Sequence, residues 1–184
     1  MRQFETKADF LCESINYFPD KNNDNRGYLA NISFGQGDLC FSPLDMIKMT
    51  ICAVSGYKTE LKAVMGMAKN GETKFDGQSD NRQRVLKPKT VARLICMMKG
   101  CVENGTGIGA KSEIVNLGGK TATAQTGRFN EENVEYVHKW FCGVYPAEKP
   151  RIIVCVLCDN EEGKSTSPSV VFGKIGEFLA KNGF

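Results

Sequence analysis

Between residues 113 and 158 the chain carries three successive runs rich in β-branched and aromatic side chains, at 113–125, 134–145 and 151–158, divided by short turn-forming stretches. This feature constrains the fold more than any other. Links this short cannot hold a crossover helix, so consecutive strands must lie side by side and antiparallel, as a meander. A sheet of that kind needs apolar cover on at least one face. Ser167-Pro168 supplies it, because Ser is a good N-cap and Pro is favoured at the first helical position. The helix that follows carries Val171, Phe172, Ile175 and Leu179 as its buried side.

Upstream of the meander the pattern is helical. Ser42-Pro43 opens a helix in which Leu44, Ile47, Ile51 and Val54 fall on one stripe, and Gly56 ends it. Pro88 starts a second helix with Val91, Leu94, Ile95 and Met98 on one face, stopping at Asn104-Gly105. Residues 59–86 alternate poorly, but 62–67 and 73–75 flank Asn70-Gly71, a hairpin signal. Residues 1–30 are polar and turn-rich and read as an irregular N-terminal segment with at most one short helix, ahead of a domain over 31–184. The fold class is α+β, an antiparallel sheet packed with helices.

Composition excludes several functions. Hydrophobic residues make up 41% and charged residues 24%, which are globular values. Lys and Arg number 24 against 21 Asp and Glu, a balance that argues against a nucleic-acid partner. No apolar run approaches the roughly 18 residues of a membrane span, and Met1-Arg-Gln-Phe-Glu-Thr-Lys7 lacks the apolar core of a signal peptide. The eight cysteines include a single C-x-x-C, Cys155 to Cys158, inside an apolar strand run where positions three apart face opposite ways. With only His138 besides, they do not make a four-ligand zinc site, and buried thiols acting as small hydrophobes fit better. No cofactor is expected. So many unpaired cysteines suit reducing or anaerobic surroundings.

Two stretches imitate phosphate loops. Gly105-Thr-Gly-Ile-Gly-Ala110-Lys111-Ser112 has Ala110 where the second Gly belongs, and Gly119-Lys120-Thr121 has Ile114 where the first belongs. A phosphate loop joins a strand to a helix, whereas the first stretch follows a helix and both run into strands. The more informative segment is residues 118–127, a strand and turn. Extended, it puts Thr121 and Thr123 on one face and Lys120 with Ala122 on the other. The small Ala residues leave the backbone open to close approach, and the hydroxyls offer donors to a carboxylate.

Four stretches in order resemble one family. Ser33-Phe-Gly35-Gln36-Gly37-Asp-Leu39 with Ser42-Pro43-Leu44 resembles the "GQG-L-TPL" stretch of the penicillin-binding transpeptidases, and Met97-Met98 through Gly105-Thr106-Gly107 resembles their "M-VV-GTG" helix end. Gly119-Lys-Thr-Ala-Thr-Ala-Gln125 is similar to "GKTGTAQ", and His138-Lys-Trp140-Phe141-Cys-Gly143-Val-Tyr-Pro146 to "H-WF-G-AP". The resemblance covers about residues 31–182 and points to the class B, monofunctional D,D-transpeptidases of peptidoglycan synthesis. It implies the C-terminal portion of the penicillin-binding-protein and serine β-lactamase-like transpeptidase fold. It also implies an acyl-serine chemistry acting on peptidoglycan stem peptides, and acylation by β-lactams.

Under that resemblance Lys120 and Thr121 help to organise the site, Thr121 and Thr123 hold the substrate or β-lactam carboxylate, and the Thr123 backbone N–H is one oxyanion donor. Ala122 departs from the family's usual Gly. The family's other motifs, S-x-x-K and S-x-N, are not recognised in their expected places. Ser55-Gly-Tyr-Lys58 has the first spacing, but about one such match is expected by chance in this composition. It also follows the GQG stretch, where the family's nucleophile lies far upstream. Ser14-Ile-Asn16 is too near Gly35 for the second. No catalytic residue is therefore identified, and the chain reads as a partial domain lacking its nucleophile-bearing N-terminal half, inactive by itself. The alternative is a non-catalytic binding module that keeps the carboxylate cleft. Full-length relatives are anchored outside the membrane, and truncation would leave the Lys120 strand as an exposed edge open to homodimerisation.

Overall fold

A computed structural model of the chain describes residues 26–33, 35, 40–59, 61, 82–159 and 166–184, with the backbone alone of 4–5, 15–16, 66–69, 72–76 and 160–161. The chain divides into two compact units, Met1–Lys87 and Pro88–Phe184. In the first, β1 (Phe4–Glu5) pairs antiparallel with β2 (Ile15–Asn16), and α1 (Arg26–Ser33) and α2 (Pro43–Ser55) follow. Then come β3 (Tyr57–Lys58), β4 (Gly66–Lys69), β5 (Glu72–Asp76) and β6 (Gln83–Arg84).

Helix α2 forms as its sequence suggests. The Ser42 hydroxyl accepts the Asp45 N–H at 3.2 Å, and the Asp45 carboxylate accepts the Ser42 N–H at 3.2 Å, so two otherwise orphaned donors are satisfied reciprocally. Those bonds explain why Asp45 tolerates burial. Gly56 ends the helix at φ +81°, its N–H bonded to the Cys52 carbonyl at 2.8 Å. Antiparallel β4 and β5 pair Lys69 with Glu72, and Asn70-Gly71, on which the hairpin signal falls, lies outside the described residues.

The second unit contains α3 (Pro88–Asn104), a 3-10 turn at Ile108–Ala110, and the strands β7 (Gly118–Phe129), β8 (Glu135–Tyr145) and β9 (Ile152–Glu161). Helix α4 (Pro168–Lys181) ends it. The sheet order is β7-β8-β9, all antiparallel, so the expected meander is present. Helix α4 packs on β8 and β9. Phe141, Gly143 and Tyr145 alternate onto the core face. There Phe141 and Phe172 are fully buried, with ring centroids 5.2 Å apart. Val102, Ala110 and Leu117 complete this core.

Two local expectations differ. The strand begins at Gly118, not at 113. The Ser112 hydroxyl accepts the Ile114 N–H at 3.2 Å, a side-chain turn that bends the chain, and Leu117 is drawn into the core. At the C-terminal helix Ser167 occupies the N-cap position, but its side chain makes no capping bond. Its hydroxyl pairs instead with that of Ser169 at 2.9 Å.

Lys99 of α3 donates to Glu148 at 2.9 Å, and Asn116 donates to the same carboxylate oxygen at 2.8 Å. The hydrogen bond from the Lys99 ammonium holds the Glu148 carboxyl below its ordinary pKa. A carboxylate with a lowered folded-state pKa stabilises above its unfolded value, and that stabilisation is lost as pH falls through the folded one. Glu148→Gln is therefore expected to lower Tm at neutral pH and to match the parent protein in acid. Added salt should shrink the neutral-pH difference, because Lys99 is exposed to solvent screening. Thermal melts across pH check this.

Candidate functional site

The segment singled out from the sequence lies on β7, an edge strand of the second unit's sheet among the described residues. Register places Lys120 opposite Cys142, Thr121 opposite Phe141, Ala122 opposite Trp140 and Thr123 opposite Lys139. Thr121 and Thr123 thus share the face that carries Phe141, and Lys120 and Ala122 share the other. Lys120, Ala122 and Thr123 are exposed, and Thr121 is half-buried. The Lys120 ammonium donates to the Thr121 carbonyl at 2.6 Å and, among the described residues, makes no ion pair.

What holds this strand is packing beneath it. A Cβ on Gly119 would lie 2.4 Å from the Phe141 ring, so the residue before Lys120 has to be glycine for β7 to approach the core. The end of α3 presses in beside it. Gly105 and Gly107 both donate to the Cys101 carbonyl, at 3.1 and 3.0 Å, curling the chain back at the helix end. A Cβ on Gly107 would meet both the Cys101 sulfur and the Phe141 ring at 3.1 Å. That turn carries Thr106 to β7, where its hydroxyl shares a 2.7 Å hydrogen bond with the Thr121 hydroxyl. The Cys101 sulfur lies 3.7 Å from Thr106 on the other side.

Thr106 is the residue that sequence reasoning missed. Its motif was visible between two glycines, but its partner is 15 residues away and emerges only from the fold. The hydroxyl chain fixes where Thr121 points, and two hydroxyls on one face of an edge strand suit a carboxylate ligand, with the Lys120 ammonium on the other face. Further along the sheet His138 Nδ1 lies 2.7 Å from the Asp159 carboxylate.

The serine and lysine of the first spacing match are not brought together on a helix. Ser55 is the last residue of α2, Lys58 lies in β3, and the left-handed Gly56 breaks the helix between them. The Ser55 hydroxyl instead accepts the Tyr57 N–H at 3.1 Å. Of the second match, Ser14 lies outside the described residues and Asn16 is in β2. The first phosphate-loop look-alike is a helix end, a 3-10 turn and a bend, in which Ser112 donates to Glu177 at 3.0 Å. The second is interior to β7, so neither opens a helix toward an anion. Among the described residues no group of three or more His, Cys, Asp or Glu side chains could hold a metal ion. Nor is any described helix long and apolar enough to cross a membrane.

The family model of the penicillin-binding protein transpeptidase domain matches residues 5–177. Peptidoglycan D,D-transpeptidase MrdA of Acinetobacter baumannii is 27% identical over 192 residues, a match covering 87% of this chain and 27% of that protein. Stage V sporulation protein D of Bacillus subtilis is 28% identical over 140 residues, covering 73% of this chain and 21% of the relative. The chain thus spans about a quarter of the length of the curated relatives it matches. The transpeptidase domain of Burkholderia pseudomallei penicillin-binding protein 3 superimposes with a TM-score of 0.75 at 21% identity, over 96% of this chain and 53% of that one. Penicillin-binding protein 3 of Mycobacterium tuberculosis, solved with aztreonam, gives 0.78 at 23%, over 93% and 41%.

Proposed function

This chain belongs to the penicillin-binding protein transpeptidase family and is class B-like, and we propose that it forms the carboxylate-binding side of a peptidoglycan cross-linking site. A stem peptide, or a β-lactam in its stead, lies along β7. Lys120 and Thr121 help to organise the site, Thr121 and Thr123 hold the carboxylate, and the Thr123 N–H donates to the oxyanion of the tetrahedral intermediate. Thr106 is a positioning residue, acting through the Thr121 hydroxyl. Ala122 leaves the strand edge open to approach despite its methyl group. The observation that carries this reading is the display on one edge strand of an ammonium with no ion pair among the described residues, next to two threonine hydroxyls.

Acyl transfer also needs a nucleophile and its base. In this reading both come from polypeptide outside residues 1–184, the N-terminal half of the domain, and this chain binds without turning over. Support comes from Gly56, which parts Ser55 from Lys58. The intact parent acts outside the cytoplasmic membrane. A homodimer paired through the open edge of β7 would occupy the same strand and compete with the ligand.

Amide correlation spectra during titration with N-acetyl-D-Ala-D-Ala test the binding role, with its C-terminal amide as the control. The acid is expected to shift the resonances of residues 119–124 and the amide to leave them in place. Thr121→Val should weaken the effect about tenfold, the loss of one hydrogen bond to a charged group. Equal shifts by acid and amide would sink the reading.

A further inference from the structure

We propose that Cys142 and Cys155 form a cross-strand dithiol site, closed to a disulfide by exchange with a small-molecule disulfide such as oxidised glutathione. The two residues are direct register partners on β8 and β9, and their sulfurs lie 3.5 Å apart with the Cys142 thiol donating to Cys155. Residues directly opposite in an antiparallel pair have Cα atoms about 4.5–5.5 Å apart, within the roughly 4.4–6.8 Å that a disulfide spans. Closing the bond therefore needs side-chain rotation and a sulfur approach to about 2.05 Å, without a change of register. Both side chains also emerge on the same face of the sheet. Cys158, three positions along β9, projects from the opposite face, and the Cys101 sulfur is already beside Thr106.

Chemically, the Cys155 thiolate, on a strand at the edge of the sheet among the described residues, attacks one sulfur of the small disulfide and expels a thiolate. Cys142 then attacks the Cys155 sulfur of the mixed disulfide and expels the second thiolate. The two protons leave the two cysteines for the two released thiols, so the protein loses two hydrogens and is oxidised while the small disulfide is reduced. The neighbouring Cys142 thiol, which titrates with it as a pair, and burial after it raise the Cys155 pKa, so exchange proceeds through a small thiolate fraction and is slow. The product is a staple between the central strand and β9, across a row that begins at Lys120.

The test is incubation of the native full chain with oxidised glutathione, followed by intact mass and non-reducing peptide mapping. The expected product has lost the mass of two hydrogens, links the Cys142 and Cys155 peptides, and melts about 5–10 °C higher until a phosphine reduces it. Cys142→Ser is expected to stop at a glutathione adduct on Cys155. Cys155→Ser, should Cys142→Ser fold poorly, is expected to form no link at all. Glutathione adducts confined to the exposed Cys40 and Cys96, or a link between any other pair, would overturn the proposal.

Discussion

Gly143→Ala is expected to destabilise the C-terminal unit by about 3 kcal/mol, the upper end for one methyl forced into a filled core. A Cβ at Gly143 would lie 2.3–2.5 Å from three atoms of the Phe172 ring. That ring is fully buried and rests against Phe141, so it has nowhere to retreat. The two positions are coupled, which supplies a sharper check. In a Phe172→Leu background the same substitution should cost about half as much, since the smaller side chain leaves room for the methyl. Urea denaturation followed through Trp140, the only tryptophan and a residue of β8, reads this unit directly. Equal costs in the two backgrounds would mean that α4 does not seat on β8 as described.

Phe141→Ala is expected to cost about 3–5 kcal/mol, the usual range for removing a buried aromatic ring. It also carries a functional signature that a core substitution elsewhere would lack. The Phe141 ring lies under Gly119 and beside Gly107, the residues that bring β7 and the Thr106 turn together. Without the ring both lose their support, and the Thr106–Thr121 hydroxyl pair loses its alignment. The expected result is a Tm lower by about 10 °C or more, together with displaced Thr106 and Thr121 amide resonances. In Phe172→Leu those resonances should move little. Unmoved resonances in Phe141→Ala would separate the site from this core.

Much of this was legible because local chemistry and global fold agree. The Ser42-Pro43 cap, the Gly56 stop and the three apolar runs each specify their element from neighbours a few residues away. Residues 113–117 misled because Ile114 and Val115 suit a strand, while Ser112 holds the chain in a bend and Leu117 is claimed by the core. The Lys120 strand was recognisable from its motif, but its geometry was not. Gly119 must be glycine because of a phenylalanine on the next strand, and Thr121 is oriented by a threonine at the end of a helix. Ser55 and Lys58 show the converse: the spacing is right, but a left-handed glycine between them removes the helical face that would make it meaningful.

The proposed function gives this chain the ligand-binding strand of a transpeptidase and leaves the nucleophile to other polypeptide. Intact-protein mass after prolonged incubation with excess benzylpenicillin tests it most directly. The expected mass is that of the unmodified chain, with any binding reversible. A stable acyl adduct, mapped by peptide analysis to Ser55 or to any other serine of residues 1–184, would contradict it.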